Sequence, residues 1–430
     1  MAQTRSNVLL IVTDQQQAAA IGAVDDSFET PNIDRLVASG TQFTGCHSTC
    51  PQCSPSRSSL FTGRYPHQNG MRTLPEWGPG PLDTRNPSVA RAFRDAGYRT
   101  TYIGKWHLGE TDLGEYGWET AENVHETSNP PAGFPTDERT CERAVSALSS
   151  HDDDAPFFVT VSFNLPHPPF VTDTEFAERF DRDTTPLPES FTDDLAGKPS
   201  FQRERANDEE CALDEDAVRE IGYQYRTMVA RIDDHVGRIL DALERSGLGE
   251  ETVVAFTSDH GDMQGAHRLN KKGVIAYDEI LRVPLVLRIP DRTSKRDRIP
   301  DLVSNRTIPA TLLDAAGVDA PPAFDAESVL DAFGRRSPPD DERVFFEHRY
   351  AYWGEHPYRG VRTARWKFVE YWWDRPNELY DVTHDPHEMT NLAADPDHAE
   401  TVTRLQREVK RWWDETGGDE EQWLRPVAGP

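Results

Sequence analysis

Asn7-Val8-Leu9-Leu10-Ile11-Val12-Thr13-Asp14-Gln15 is the stretch whose reading decides the fold class. Its run of Val, Leu and Ile lacks polar alternation, so it reads as a parallel strand covered on both faces. Asp14 and Gln15 stand just past the carboxyl end of that strand. Three other runs repeat the pattern. Thr100 to Ile103 leads into Gly104-Lys105-Trp106-His107, Phe157 to Phe163 into Asn164-Leu165-Pro166-His167, and Thr252 to Thr257 into Ser258-Asp259-His260-Gly261-Asp262. Pro284 to Ile289 reads as a further strand. Helical periodicity appears over 31–39, closed by Gly40, over 87–96, closed by Gly97, and over 217–245. Such alternation predicts an α/β fold with a large mixed, mostly parallel sheet sandwiched by helices. Open α/β sheets hold ligands beyond the carboxyl ends of their strands, so four polar strand ends predict one site along one sheet edge.

The second part of the chain reads differently. Asp319 to Arg343 is rich in Pro, Ala and Asp and predicts a linker. Beyond it, Val344 to His348, Tyr358 to Thr363 and Trp366 to Tyr371 read as antiparallel strands, and His398 to Glu415 as a closing helix. The expected organisation is a large α/β domain over 1–330 and a smaller C-terminal domain of antiparallel sheet plus helix over 331–430. Asp181 to Glu215, acidic and Pro-bearing, predicts a long surface excursion, and it and Leu74 to Pro81, with Trp77, are expected at the rim of the site. Tyr352, Trp353, Tyr371, Trp372 and Trp373 read as core packing of the small domain, with a sugar-binding wall as the alternative.

Composition excludes several classes. Net charge is −28, and only seven of the 46 basic residues are Lys. A surface of that sign repels nucleic acid and anionic membranes, so an anionic substrate needs a local basic pocket. An acidic excess with scarce Lys predicts a protein adapted to high salt. Its melting temperature should rise between dilute buffer and molar KCl as carboxylate repulsion is screened, and equal values would remove the idea. Cys46, Cys50, Cys53, Cys141 and Cys211 are too few and too oddly spaced for a disulfide framework, and they lack the paired spacing of a zinc site. The run Val8 to Val12 is too short for a signal peptide, and no stretch is long enough to span a bilayer, so the expected location is cytoplasmic.

The segment Cys53-Ser54-Pro55-Ser56-Arg57-Ser58-Ser59-Leu60-Phe61-Thr62-Gly63-Arg64 carries the chemistry. Pro55 suits a first helical turn, Ser58 to Phe61 continue the helix, and Gly63 stops it. Cys53 then sits at a helix N-terminus, where the backbone dipole favours negative charge, with Arg57 one turn on along the same face. The alternative is a buried structural cysteine at a helix start.

The pattern Cys-x-Pro-x-Arg with Thr62-Gly63-Arg64 after it resembles the signature of type I, formylglycine-dependent sulfatases of the alkaline phosphatase superfamily. Gly104-Lys105-Trp106-His107, His167, Asp259-His260-Gly261-Asp262 with Lys272 after it, and a C-terminal Glu378-Leu379-Tyr380-Asp381 follow in the order of that family. The resemblance implies a sulfuric ester hydrolase with an alkaline-phosphatase-like fold. It implies that Cys53 becomes formylglycine, made by a formylglycine-generating enzyme. One divalent metal would be held by Asp14, Gln15, Asp259 and His260 together with residue 53. The hydrated aldehyde would attack sulfur, His167 or Lys272 would protonate the leaving alcohol, and His107 would trigger release of sulfate. Arg57 and Lys105 would stabilise anionic charge.

Gln15 and His260 depart from the acid and amide that many relatives carry. They are similar to choline sulfatases and phosphonate monoester hydrolases, which leaves the metal open among Ca²⁺, the first expectation, Mn²⁺ and Mg²⁺. The expected partner is a sulfated small molecule or glycan. The alternatives are a phosphonate monoester or phosphodiester hydrolase and, if Cys53 stays a thiol, a non-catalytic anion-binding protein. His267 reads equally as structural or substrate-facing, and Lys271 is given no role.

Overall fold

The structure is a computed structural model and describes residues 5–125, 133–151, 155–208, 212–293, 297–333, 335, 339, 342–373 and 376–426. Cys211 lies outside the described residues, as do parts of the predicted excursion and linker. Twelve strands are described: β1 (Asn7–Thr13), β2 (Thr41–His47), β3 (Arg99–Lys105), β4 (Thr120–His125), β5 (Phe157–Ser162), β6 (Thr252–Ser258), β7 (Leu285–Arg288), β8 (Asp297–Ser304), β9 (Arg343–Ala351), β10 (Gly354–Thr363), β11 (Trp366–Tyr371) and β12 (Glu378–Asp381). The first eight form one sheet in the order β4-β3-β5-β1-β6-β7-β2-β8, and only β7 runs antiparallel to its neighbours. The expected large, mostly parallel sheet is therefore present.

The all-apolar reading of β1 has a direct structural cause. Val8, Leu10 and Val12 enter the core on one side of the sheet, while Leu9 and Ile11 enter the core on the other. Both faces are buried, so neither parity of the strand can be polar. The long helix Glu215–Arg245 covers one face, with Met228, Ile232, Val236 and Ile239 packed against Leu9 and Ile11. No described helix is long and apolar enough to cross a membrane.

Strands β9–β12 form a second, antiparallel sheet in the order β12-β11-β10-β9, with helix Ala399–Glu415 packed on it through Leu405 and Val409. The two sheets share apolar packing. Ile275, Tyr277 and Ile280 of the first part join Phe346, Tyr358 and Val369 of the second in one cluster.

Sequence reading missed β2, β4, β8 and β12. Thr41-Gln42-Phe43-Thr44-Gly45-Cys46-His47 has no apolar alternation, yet β2 is almost wholly buried because it lies between β7 and β8. Edge strand β8 tolerates Pro300, which a central strand would not. The predicted excursion 181–215 is not a surface segment throughout. It includes helix Ser200–Asn207, and it buries Leu195, Lys198, Phe201 and Gln202.

His235, on the long helix, is buried against Phe163, with ring centroids 5.5 Å apart. Burial, with Arg238 and Arg231 nearby, lowers its pKa to about 3. The folded state therefore binds fewer protons than the unfolded state between the depressed value and about 6.5, and stability falls as pH drops through that window. His235→Leu should reduce the loss of unfolding free energy between pH 7.5 and 5.5 by about 1 kcal/mol, read from urea midpoints. An unchanged slope would show that His235 does not contribute.

Candidate active site

Strand register assembles the site. Thr13 of β1 lies opposite Ser258 of β6, so Asp14 and Asp259 leave adjacent strands side by side. Gly104 of β3 lies opposite Ser162 of β5, which puts Lys105 and the 164–167 turn on the same edge. Crossing hydrogen bonds fix these ends: Asp259 N–H donates to the Thr13 carbonyl at 3.2 Å and Asp14 N–H to that of Leu165 at 3.2 Å. Gln15 and His107 adopt left-handed backbone with φ of 70° and 56°. Such conformations cost free energy in residues with a Cβ and gather at functional sites.

Helix Cys53–Thr62 delivers the sulfur. Every residue in it is buried, so it is held on all sides rather than on one stripe. Ser56 Oγ donates to the Asp259 carbonyl and accepts from Asn305 at 2.8 Å, which fixes the first turn beneath the strand ends. At the other end Gly63 takes φ of 69°, and a Cβ there would stand 2.4 Å from the Phe324 ring. Only glycine meets both requirements.

Cys53 Sγ lies 3.3 Å from His260 Nε2, 3.7 Å from Asp14 Oδ1 and 3.8 Å from Lys105 Nζ, and it accepts from Lys272 Nζ at 2.5 Å. Arg57 Nε donates to Asp259 Oδ2 at 2.8 Å, and its Nη1 to Ser162 Oγ at 2.8 Å and the Lys105 carbonyl at 3.1 Å. Lys105 Nζ donates to Asp14 Oδ2. His107 and His167 also hydrogen-bond Cys53 through their side chains. The sequence-predicted residues Asp14, Cys53, Arg57, Lys105, His107, His167, Asp259, His260 and Lys272 therefore meet at one point.

The electrostatics follow from this crowding. Burial raises the thiol pKa of Cys53, but Lys105, Lys272, His260 and the His107 hydrogen bond outweigh it and hold the thiol well below its ordinary value. Burial also opposes ionisation of Asp14, and the Cys53 sulfur adds to that, yet Lys105, His167 and Lys272 keep its carboxyl below the usual range. Burial and Lys105 lower His107 to about 4, so its imidazole is neutral at neutral pH and free to accept a proton. Burial and Lys272 lower His167 as well.

The donor set fits a hard divalent ion. Ligand atoms of Asp14, Cys53, Asp259 and His260 all lie within 4.8 Å of one another, and all four residues are buried. Gln15 spends its amide nitrogen on Asp262, which leaves its buried Oε1 without a partner among the described residues. A buried carbonyl oxygen left over beside two carboxylates is a natural cation ligand.

The site opens into a cavity of about 1200 Å³ whose lining includes Gln15, His107, His167 and Lys272. Tyr352, Trp353 and Lys271 also line it. The core reading of the aromatic group thus holds for Tyr371, which is buried, but not for Tyr352 and Trp353. Trp77, expected on the rim, is buried behind it against Tyr350 and Tyr352. His267 is occupied elsewhere: its Nδ1 pairs with Asp193 at 2.6 Å and its ring stacks on Tyr277 at 3.8 Å. Ser162 and Arg205 were missed. Ser162 is a polar end to an apolar strand, a visible signal, whereas Arg205 lies in the 181–215 segment, which was expected at the rim without any one residue singled out.

Comparison with known proteins agrees with the geometry. The family model described as Sulfatase matches residues 6–318, and that described as N-sulphoglucosamine sulphohydrolase, C-terminal, matches residues 265–415. The chain is 31% identical over 439 aligned positions to the uncharacterized sulfatase YidJ of Escherichia coli, covering 93% of this chain and 86% of the relative. It is 25% identical over 505 positions to N-acetylglucosamine-6-O-sulfatase of Bacteroides thetaiotaomicron, covering 97% and 88%. The solved structure of BT4656 in complex with its substrate D-glucosamine-2-N,6-O-disulfate superposes with a TM-score of 0.85 at 20% identity, covering 97% of this chain and 99% of that one.

Proposed function

The chain belongs to the sulfatase family, and from that premise we propose that Cys53, as formylglycine, cleaves the sulfate ester of a sugar hydroxyl. The observation that carries the reading is the position of Cys53 Sγ, at the head of a buried helix and within 3.8 Å of Asp14, His260 and Lys105. The aldehyde supplies, when hydrated, two hydroxyls on one carbon, one to attack sulfur and one to drive sulfate out. A divalent ion on Asp14, Gln15, Asp259 and His260 supplies fixed positive charge beside residue 53. The oxygen donors favour Ca²⁺, and the His260 nitrogen also admits Mn²⁺ or Mg²⁺.

The remaining work belongs to the side chains. Lys105, Lys272 and Arg57 place positive charge around the point of attack, where a sulfuryl group carries its nonbridging oxygens. Neutral His107 accepts the proton leaving residue 53. His167 and Lys272, which both line the cavity, stand on the leaving-group side and protonate the departing alcohol oxygen. A glycan ester fits a cavity of about 1200 Å³ with an aromatic wall.

A second reading, hydrolysis of phosphonate monoesters or phosphodiesters, draws on Gln15 and His260, which lower the negative charge of the metal site. The test is a rate comparison using protein confirmed to carry the aldehyde. We expect 4-nitrophenyl sulfate to exceed bis(4-nitrophenyl) phosphate and phenyl phenylphosphonate in kcat/KM, and chelation to remove all three activities. The reverse order would favour the second reading. Absence of all activity in metal-replete, aldehyde-bearing protein would leave an anion-binding protein.

A further inference from the structure

The wall of the cavity carries cations that the reaction does not use. Arg205, on helix Ser200–Asn207, lies over the Trp353 ring at 5.1 Å. Its Nε is buried and has no hydrogen-bond partner among the described residues. Elsewhere in this acidic chain buried or half-buried arginines such as Arg57, Arg231 and Arg359 are ion-paired, which sets Arg205 apart. The Trp353 ring in turn backs onto the loop that carries Lys271 and Lys272, since a Cβ on Gly273 would stand 3.2 Å from Trp353 Cδ2. Lys271 is exposed, lines the same cavity, and takes φ of 61°. Arg205 and Lys271 therefore share one wall with Trp353, beside the Lys272 ammonium that reaches Cys53.

The same cavity also carries carboxylates. Glu76 and Glu110 are exposed cavity residues on the 75–81 and 109–110 segments. Trp77, next to Glu76, meets Tyr352 edge-on at 4.9 Å, which ties the 75–81 segment to the aromatic residues of the cavity. The cavity thus offers carboxylates able to accept from hydroxyls as well as the Arg205 and Lys271 cations.

We propose that Arg205 and Lys271 form a second anion subsite, so that the substrate is a sugar carrying, besides the ester that is cleaved, another anionic group such as a sulfamate or carboxylate. This rests on the sulfatase reading and adds a requirement to it. Arg205 offers a planar fork already oriented by the indole face, suited to a bidentate bond to such a group. Lys271 adds a mobile point charge. The sugar ring packs against Trp353 and Tyr352, and its hydroxyls turn toward Glu76 and Glu110.

The test compares two probes that differ in the second anion, N-acetylglucosamine 6-sulfate and glucosamine 2-N,6-O-disulfate, with 4-nitrophenyl sulfate as the measure of the sulfatase reading itself. The wild-type enzyme should prefer the doubly anionic sugar by at least about tenfold in kcat/KM, the equivalent of one charge-assisted hydrogen bond. Arg205→Gln should cut that ratio about tenfold, Arg205→Lys should restore part of it, and Lys271→Gln should cut it less. The ratio should also shrink as KCl rises, because both cations face solvent. A wild-type enzyme that turns over 4-nitrophenyl sulfate but shows no preference, or an Arg205→Gln loss shared equally by both sugars, would overturn the subsite and leave the sulfatase reading standing. No turnover of 4-nitrophenyl sulfate would instead remove the reading on which the subsite rests.

Discussion

A Cys53→Ser enzyme is expected to accept one sulfuryl group per chain and then stall, with steady-state kcat on 4-nitrophenyl sulfate lower by about 10⁴-fold. Serine keeps an oxygen nucleophile at the head of helix Cys53–Thr62, beside the same Lys105, Lys272 and His260. What it lacks is a second hydroxyl on the same carbon, so His107 has no proton to remove and sulfate has no route out. The sulfated serine must wait for water, and the cavity floor is crowded by buried side chains. Rapid-mix assays should show a burst of one equivalent followed by a nearly flat phase, and the trapped peptide should carry the extra mass of a sulfuryl group. Sustained multiple turnover would contradict the scheme. The substitution is small and buried, so the fold should survive, and a melting curve like that of the parent separates a chemical defect from a structural one.

Arg57 carries the second large effect, on stability as well as rate. Its guanidinium is fully buried, donates to Asp259, Ser162 and the Lys105 carbonyl, and passes 3.8 Å from Asp14. Its ionisation follows the same balance: burial opposes it, but Asp259 and Asp14 raise the pKa above its ordinary value. Arg57→Ala removes the ion-pair partner of buried Asp259, while Asp14 keeps Lys105. Removing one member of a buried ion pair typically costs about 3–5 kcal/mol. Arg57→Ala should therefore lose that much in urea denaturation and show no measurable turnover. Arg57→Lys keeps the charge but not the fork, and should recover part of the stability while kcat/KM stays down by about 10²-fold. Wild-type stability in Arg57→Ala would show that the ion pair is not what holds helix Cys53–Thr62 to the strand ends.

Both predictions depend on residues that sequence reading could place. Asp14 and Asp259 were legible at the ends of apolar runs that a parallel sheet presents together, whereas Lys105 and His167, two and four residues past such runs, were legible through their resemblance to sulfatase motifs. Helical spacing puts Cys53 and Arg57 on one face, but it was the resemblance of Cys-x-Pro-x-Arg to the sulfatase signature that gave them roles. Strands β2 and β8 were not legible. Their burial comes from neighbours in the sheet rather than from their own apolar content, and local pattern carries no record of that. The substrate side of the site was legible as segments, 74–81 and 181–215 on the rim, but not as an arrangement of side chains. Arg205 and Trp353 are 148 positions apart in sequence, and only the packing of helix Ser200–Asn207 near the second sheet brings them together. His267 shows the converse. Its place after Asp262 invited a substrate-facing role, but pairing with Asp193 and stacking on Tyr277 occupy it.

The central claim is that oxidised residue 53 is the nucleophile, and mass spectrometry of the Cys53 peptide matched to activity tests it most directly. Protein made with graded amounts of a formylglycine-generating enzyme should yield a peptide that has exchanged sulfur for oxygen and reacts with a hydrazide. Its kcat on 4-nitrophenyl sulfate should rise in proportion to the aldehyde fraction and extrapolate to zero at zero conversion. Full activity in protein whose Cys53 is entirely thiol would contradict the account.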